Sequence, residues 1–258
     1  MPNQSTKYFL STLEKGLKVL SLFNHERTQI SQIEIAKLID TDKTSTYRLV
    51  NTLVMLGYLK KDPQSKLLKL GTQSFTLAQN FIQGFDLLQI IRPVIDDFYE
   101  EYNLTIDSAL IDGDSLVSIY RRQARNTITL RLPSSNREFC CTALGRAALA
   151  FLPEKEILKI INKKPLKKWT QYSITKKKLL LKEINETKER GYAMAKEEMV
   201  PGILAIGAPI FNMEMNHVIG SVCFDFVTSE HSLKSMEENY SELILMLSRN
   251  ISAMIPVF

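Results

Sequence analysis

With 258 residues, 45% of them hydrophobic, and only ten glycines and nine prolines, the chain has apolar material for two ordinary cores and is neither disordered nor fibrous. No apolar run approaches the roughly 18 residues that cross a bilayer, and the opening MPNQSTKYFL lacks a signal peptide's apolar centre, so neither secretion nor membrane insertion is expected and the protein is expected to work in the cytoplasm. Three cysteines (Cys140, Cys141, Cys223) exclude a disulfide framework, and the net charge of +5 lies wholly in residues 1 to 80, where eleven Lys and Arg stand against six acids while the remainder carries 22 of each sign.

From Ser11 to Phe23 the residues Leu13, Leu17, Leu20 and Phe23 recur at spacings of four and three, which predicts a helix with that face inward. Ser31 is a good N-cap for a second helix, with Glu34 completing a capping-box pattern and Ile35, Leu38 and Ile39 expected on its buried side. After a short turn at Asp40 and Thr41, a third helix is expected from about Asp42, whose acid suits the positive end of the helix dipole, to Gly57. Three helices with a tight turn before the third read as a helix-turn-helix. Gly57 to Lys61 and Lys66 to Gly71, around the turn Asp62-Pro63-Gln64-Ser65, then predict a β-hairpin wing whose lysines flank phosphates or a minor groove.

Residues 72–102 read as a helical linker broken near Arg92-Pro93, apolar enough to pack against a second copy. Strands are expected over Thr105–Ile111, Leu116–Tyr120 and Thr127–Leu132, then helices over Thr142–Phe151, Glu154–Asn162 and Thr175–Arg190. Two further strands, Ile203–Phe211 and Val218–Phe226, precede a last helix capped by Ser232. The expected fold class is α+β: a winged helix-turn-helix head over 1–71, the linker over 72–102, and a sensor domain over 103–258 with a mostly antiparallel sheet. The lysine runs at 163–168 and 176–178 are expected to be solvated helix ends balanced by nearby acids.

A recognition helix enters the major groove N-terminus first, so its first two turns must carry side chains that hydrogen-bond to base edges and phosphates. Lys43, Thr44, Ser45, Tyr47 and Arg48 answer that description, with Arg48 placed to make a bidentate contact; Ser31 and Gln32 open the preceding helix and Lys66 lies in the wing. Double-stranded operator DNA is the expected partner.

The stretch ISQIEIAKLIDTDKTSTYRLVNTLVMLGYLKKDPQSKLLKLG resembles the DNA-binding head of the isocitrate-lyase-regulator (IclR) family of bacterial transcriptional regulators. FCCTALGRAALAFLP at 139–153, and RGYAMAKEEMVPGILAIGAPIF with HVIGSVCFDF across 190–226, resemble that family's effector domain, so the resemblance spans most of the chain in order. It implies a homodimer or tetramer that binds an operator near a metabolic operon, most simply as a repressor, and answers to a small metabolite in a GAF-like domain. By position it implies an effector pocket lined by Ala143 and Leu144, Ala205, and Cys223 and Asp225, with Asn126 and Thr129 as further candidates. Small residues at a strand-to-helix turn leave room there, and backbone amides at the helix start could hold a carboxylate.

The sequence departs from the family pattern at Cys140, where a histidine is common, at Cys223 and Asp225, where two serines are common, and at Ala195 and Lys196, where some relatives place acids. An aspartate in the pocket repels an anionic effector unless it is protonated or paired, so the ligand is expected to be neutral or to carry a hydroxyl or amine. No cofactor or metal is expected: the three histidines, His25, His217 and His231, have no metal-ligand spacing with the cysteines. With no nucleophile elbow, phosphate loop or HExxH motif, the chain is not expected to be an enzyme. Two alternatives stay open: a C-terminal domain that only oligomerises, and a thiol-based redox sensor.

Overall fold

The computed structural model describes residues 8–24, 27–84, 86–125, 135–136, 139–163 and 165–255. The chain divides into two compact units, Met1–Phe85 and Asp86–Phe258, a division that falls inside the expected linker.

The first unit holds α1 (Ser11–Ser21), α2 (Gln32–Leu38), α3 (Lys43–Met55), β1 (Leu59–Lys61), β2 (Leu68–Leu70) and α4 (Thr72–Gln83). Each reading helix starts where its cap directs: the Ser31 hydroxyl accepts from the Glu34 amide at 3.2 Å, and the Asp42 carboxylate accepts from the Ser45 amide at 2.9 Å. Gly57, at φ +77°, turns the chain out of α3 in a conformation only glycine adopts freely. Val19, Phe23, Ile30, Ile35, Val50, Leu59 and Leu68 form the core. The predicted inward faces need two corrections. α1 is turned so that Gly16 and Val19 are buried while Leu13 and Leu17 are 59% and 56% exposed, and on α2 Leu38 is exposed and Ala36 buried in its place. Periodicity finds a helix, but with leucines spread around it only the neighbouring elements choose which stripe is covered.

The second unit holds α5 (Asp86–Tyr102), β3 (Thr105–Asp112), β4 (Ser115–Arg122), β5 (Ser135–Asn136), α6 (Ala143–Leu149), α7 (Glu154–Lys163), α8 (Lys177–Arg190), β6 (Ala193–Lys196), β7 (Ile203–Asn212), β8 (His217–Val227) and α9 (Leu233–Met254). The strands form one antiparallel sheet in the order β5-β4-β3-β8-β7-β6. The helical break expected at Pro93 falls at Gly84 instead, and α5 runs through the proline. An interior proline costs about 3 kcal/mol; here Leu88 and Ile91 before it and Ile95, Phe98 and Tyr99 after it are all buried, and each such side chain contributes about 1.5–3 kcal/mol. Burial wins.

α5 and α9 cover one face of the sheet, meeting Ile106, Ile206, Val222, Phe224 and Phe226. The period-two alternation sends Ser221, Cys223 and Asp225 of β8 to the other face, under α6. β6 was not foreseen. Its sequence, Ala-Met-Ala-Lys, has little strand propensity, and it is extended because Ala193 and Ala195 pack with Ala143 and Ala147 of α6 and Ala205 of β7. The strand expected over Thr127–Leu132 lies outside the described residues, as do Asn126 and Thr129.

Candidate functional site

In the first unit α3 turns Thr46 and Val50 inward, both fully buried, which leaves Lys43, Thr44, Tyr47 and Arg48 exposed on its first two turns. Ser45 is half-buried and its amide is committed to Asp42; the Ser31 hydroxyl is committed to its capping bond, and Gln32 is half-buried at the start of α2. Lys66 stands at the hairpin turn with φ +59°, its ammonium donating to the Pro63 carbonyl at 2.7 Å. A feature the sequence reading did not single out is the hairpin register, which places exposed Lys60 directly across from Lys69. Like charges opposite one another are destabilising in a free hairpin and suit a wing that meets an anion.

In the second unit a small, partly open cavity of about 80 Å³ lies on the α6 face of the sheet. It brings together Ala143, Leu144, Ala205, Cys223 and Asp225, five of the seven expected pocket residues, with Ala109, Leu116, Ala195, Met199, Val200 and Ile203 as further apolar wall. Four carboxylates, Asp107, Glu197, Glu198 and Asp225, also line it, and no lysine, arginine or histidine does among the described residues. The start of α6 offers less than the sequence reading supposed: the helix has seven residues, and the Gly145 amide is taken by the Thr142 hydroxyl at 2.9 Å. Gly145 itself is required, since a Cβ there would lie 2.3 Å from the Phe139 carbonyl oxygen.

Asp225 is paired. Arg121 donates from one nitrogen to Asp107 at 2.8 Å and from the other to Asp225 at 2.9 Å, and Ser118 donates to Asp107 at 2.8 Å. One guanidinium thus serves two carboxylates. Burial pushes Asp107 up to about 6, with the Asp225 charge adding to the rise and Arg121 opposing it; burial also raises Asp225 against Arg121, and raises the Cys223 thiol well above its usual range. A second ion pair holds the cavity's edge. Arg146, wholly buried on α6, grips Glu198 with both terminal nitrogens at 2.8 and 2.7 Å and also donates to the Met194 carbonyl. Thr170 and Ser173 donate to the carbonyls of Glu197 and Glu198, each at 2.6 Å. The turn from Glu197 to Gly202 is thereby fixed over the cavity, and Glu197 accepts from the Gly202 amide at 2.8 Å. Sequence reasoning missed Asp107, Arg121, Arg146 and Glu198, whose partners lie far away along the chain. A lone arginine in the apolar stretch Ala-Leu-Gly-Arg-Ala-Ala-Leu was the one available signal, because a buried arginine needs a carboxylate.

Among the described residues no group of His, Cys, Asp and Glu could hold a metal ion, and no helix is long and apolar enough to cross a membrane.

Comparison with known proteins places this arrangement. The family model for the C-terminal domain of the bacterial transcriptional regulator IclR matches residues 79–253, and that for the IclR helix-turn-helix domain matches residues 12–63. The chain is 28% identical over 243 residues to the HTH-type transcriptional regulator KipR of Bacillus subtilis, covering 93% of this chain and 96% of that protein. It is 24% identical over 206 residues to the transcriptional repressor IclR of Escherichia coli, covering 79% and 75%. Two solved structures share the fold. An IclR transcriptional regulator from Alicyclobacillus acidocaldarius has a TM-score of 0.83 at 23% identity over 96% of this chain and 99% of its own. An IclR homolog from Microbacterium hydrocarbonoxydans, complexed with 4-hydroxybenzoate, has a TM-score of 0.78 at 17% identity over 94% and 98%. With a capped helix-turn-helix and wing in one unit, a sheet carrying a cavity in the other, and family models matching both, the chain belongs to the IclR family of DNA-binding transcriptional regulators.

Proposed function

We propose that this regulator is an effector-gated repressor of a metabolic operon, and that the cavity on the α6 face is where the effector sits. The cavity itself carries the reading: a domain that only oligomerised would have no reason to leave an apolar-walled space at the residues the family motif points to. The effector that fits has a compact apolar body and a head group that donates hydrogen bonds, an amine or a hydroxyl. Asp225 has one oxygen on Arg121 and the other, among the described residues, on the weak Cys223 thiol donor at 3.8 Å, so it keeps acceptor capacity. A carboxylate ligand would instead meet four carboxylates. Cys223 is disfavoured as a sensing thiol, because a buried thiol whose ionisation is suppressed reacts poorly, which leaves the thiol-sensor alternative to Cys140 and Cys141.

In the head, Arg48 and Lys43 with Thr44 and Tyr47 are the reading contacts, Ser31, Gln32 and Ser45 frame them, and Lys66 with Lys60 and Lys69 forms the wing. The experiment is fluorescence anisotropy on a duplex from upstream of the regulator's own gene. Arg48→Ala should weaken binding about 10- to 100-fold, the 1–3 kcal/mol of one bidentate contact. A panel of small amines, polyols and shape-matched carboxylates then tests the cavity. Amines or polyols should release the wild type from DNA, and Asp225→Leu should abolish that release while leaving DNA affinity unchanged. Carboxylates that act through an intact Asp225 would refute the assignment of the head group, and no effect from any class would refute the cavity as the effector site.

We further read the protein as a homodimer, with α4 at the contact. Phe75, Leu77 and Phe81 are 60–65% exposed on that helix, which buries no residue within its own unit. Pairing sets two recognition helices at half-sites about 34–36 Å apart, so a modest reorientation on effector binding is enough to weaken an operator complex. Phe81→Asp should shift sedimentation at micromolar concentration from dimer toward monomer; an unchanged dimer would place the contact elsewhere.

A further inference from the structure

Between Ile157 and Lys182 the chain carries nine lysines and no acidic residue. Eight of these lysines are described and all eight are exposed, on the end of α7, the connection to α8, and the first turns of α8. The expected balance by nearby acids holds for two of these lysines among the described residues. Ion pairs reach only Lys163, with Asp114, and Lys182, with Glu186, so Lys167, Lys168, Lys176 and Lys178 have no acidic partner among the described residues. The two ends of this surface are joined, since Lys177 donates to Asn162 at 2.6 Å.

The described part of the connection, residues 165–176, is held by hydrogen bonds although it has no helix or strand. The amides of Trp169 and Thr170 both donate to the Ser173 hydroxyl at 2.9 Å, and Thr170 and Ser173 are anchored to the carbonyls of Glu197 and Glu198. Lysines on a fixed loop have already lost part of the backbone freedom that binding would otherwise remove. In the free protein their mutual repulsion is uncompensated.

We propose that this lysine surface is a second DNA-binding surface, one that takes duplex phosphates outside the contacts made by the helix-turn-helix. Three observations select DNA over an acidic protein or a lipid surface. The charges are all lysine ammoniums, point charges that suit a phosphate backbone without base readout. The apolar anchor a protein partner would use is compromised, because the Lys167 ammonium sits 3.4 Å from the centre of the Trp169 ring. And the same chain carries a DNA-binding head, so once that head is docked phosphates are present at high effective concentration and a few weak contacts suffice.

The test uses the full chain and a 60-base-pair duplex of arbitrary sequence, so that it needs no knowledge of the operator. Binding is followed by anisotropy from low to moderate salt for three proteins: the wild type, a variant with Lys167, Lys168, Lys176 and Lys178 each changed to Gln, and a head variant with Lys43→Ala and Arg48→Ala. All six substituted residues are exposed, and unchanged thermal melting confirms that folding is intact. Each phosphate contact contributes about 0.9 to the slope of log affinity against log salt, so the four-lysine variant should lose about 2–4 from that slope. A slope equal to the wild type's, with the head variant's slope reduced, overturns the proposal and leaves this face to solvent or an acidic protein. If the wild type fails to bind duplex even at low salt, the DNA reading of the head fails with it.

Discussion

Changing Arg146 to alanine should destabilise the effector unit by about 3–5 kcal/mol, the cost of stranding a buried charge. That is a large part of the roughly 5–15 kcal/mol that holds a typical domain together. The magnitude follows from what is left behind. Glu198 is 7% exposed and its carboxylate is held by the two Arg146 bonds; with the guanidinium gone it must ionise without a partner or take up a proton. The Met194 carbonyl loses its donor as well. Urea unfolding followed by circular dichroism should show a lowered midpoint with an unchanged slope. The double variant Arg146→Met with Glu198→Met should recover most of the loss, because a buried ion pair replaced by apolar residues of similar volume is close to neutral. A double variant as unstable as the single one would mean that packing around α6, and not the stranded charge, is the source.

Stability should also fall as pH rises from about 4 to about 6, by up to about 3 kcal/mol from Asp107 alone, since a tenfold change in proton affinity corresponds to about 1.4 kcal/mol. Burial raises this carboxyl from its ordinary 3.8 to about 6, with the Asp225 charge reinforcing the rise and Arg121 opposing it. The folded state therefore binds the proton more tightly than the unfolded chain does. Between the two values the folded protein holds more protons, so stability is greatest below about 4, is lost through 6 and levels off above it. Asp225 is raised in the same direction and acts in the same sense. Other carboxylates titrate here too, so the measurement is the difference between wild type and Asp107→Asn in urea unfolding across pH 4 to 7. That difference should change with pH by a few kcal/mol in the stated sense; a constant difference would show that Asp107 titrates normally in the fold. A cationic ligand in the cavity would supply the second positive charge the two aspartates lack, and should flatten the same pH dependence.

The physical economy of the cavity explains why these two arginines matter most. A sheet face that leaves space for a ligand gives up packing that a filled core would have, and here the polar groups bordering the space are held by fixed partners. Arg121 sets how much negative charge two aspartates can carry, and Arg146 sets where the Glu197–Gly202 turn lies. Neither acts as a free charge.

The elements of the head could be read from the chain, though not the buried faces of α1 and α2, because the determinants of its caps and turns are local. The cap bonds span three residues, from Ser31 to Glu34 and from Asp42 to Ser45, and the hairpin closes over a short turn in which Asp62 accepts from the Gln64 and Ser65 amides. The motif around Thr142 to Gly145 was equally legible, and it led to Ala143 and Leu144 on the cavity wall. Where a local rule met a long-range competitor, it failed in an informative way. Pro93 did not break α5 because burial on both sides of it outweighed the lost bond, and Ala193 to Lys196 became a strand because it pairs with the edge of β7 and packs its alanines against α6.

The sequence alone determined the family, most of the helices and strands, the caps of α2 and α3 and five residues of the cavity wall, since each is encoded within a few residues of itself or in a contiguous motif. Only the tertiary structure decided which acids and bases meet. Arg121 finds Asp225 across 104 positions and Arg146 finds Glu198 across 52, and a charged side chain in a linear sequence carries no mark of its partner. The electrostatic character of the cavity, and with it the class of effector it can take, comes from folding alone: the sheet register sets Asp107 opposite Cys223, and the strand alternation puts Asp107 and Asp225 on one face.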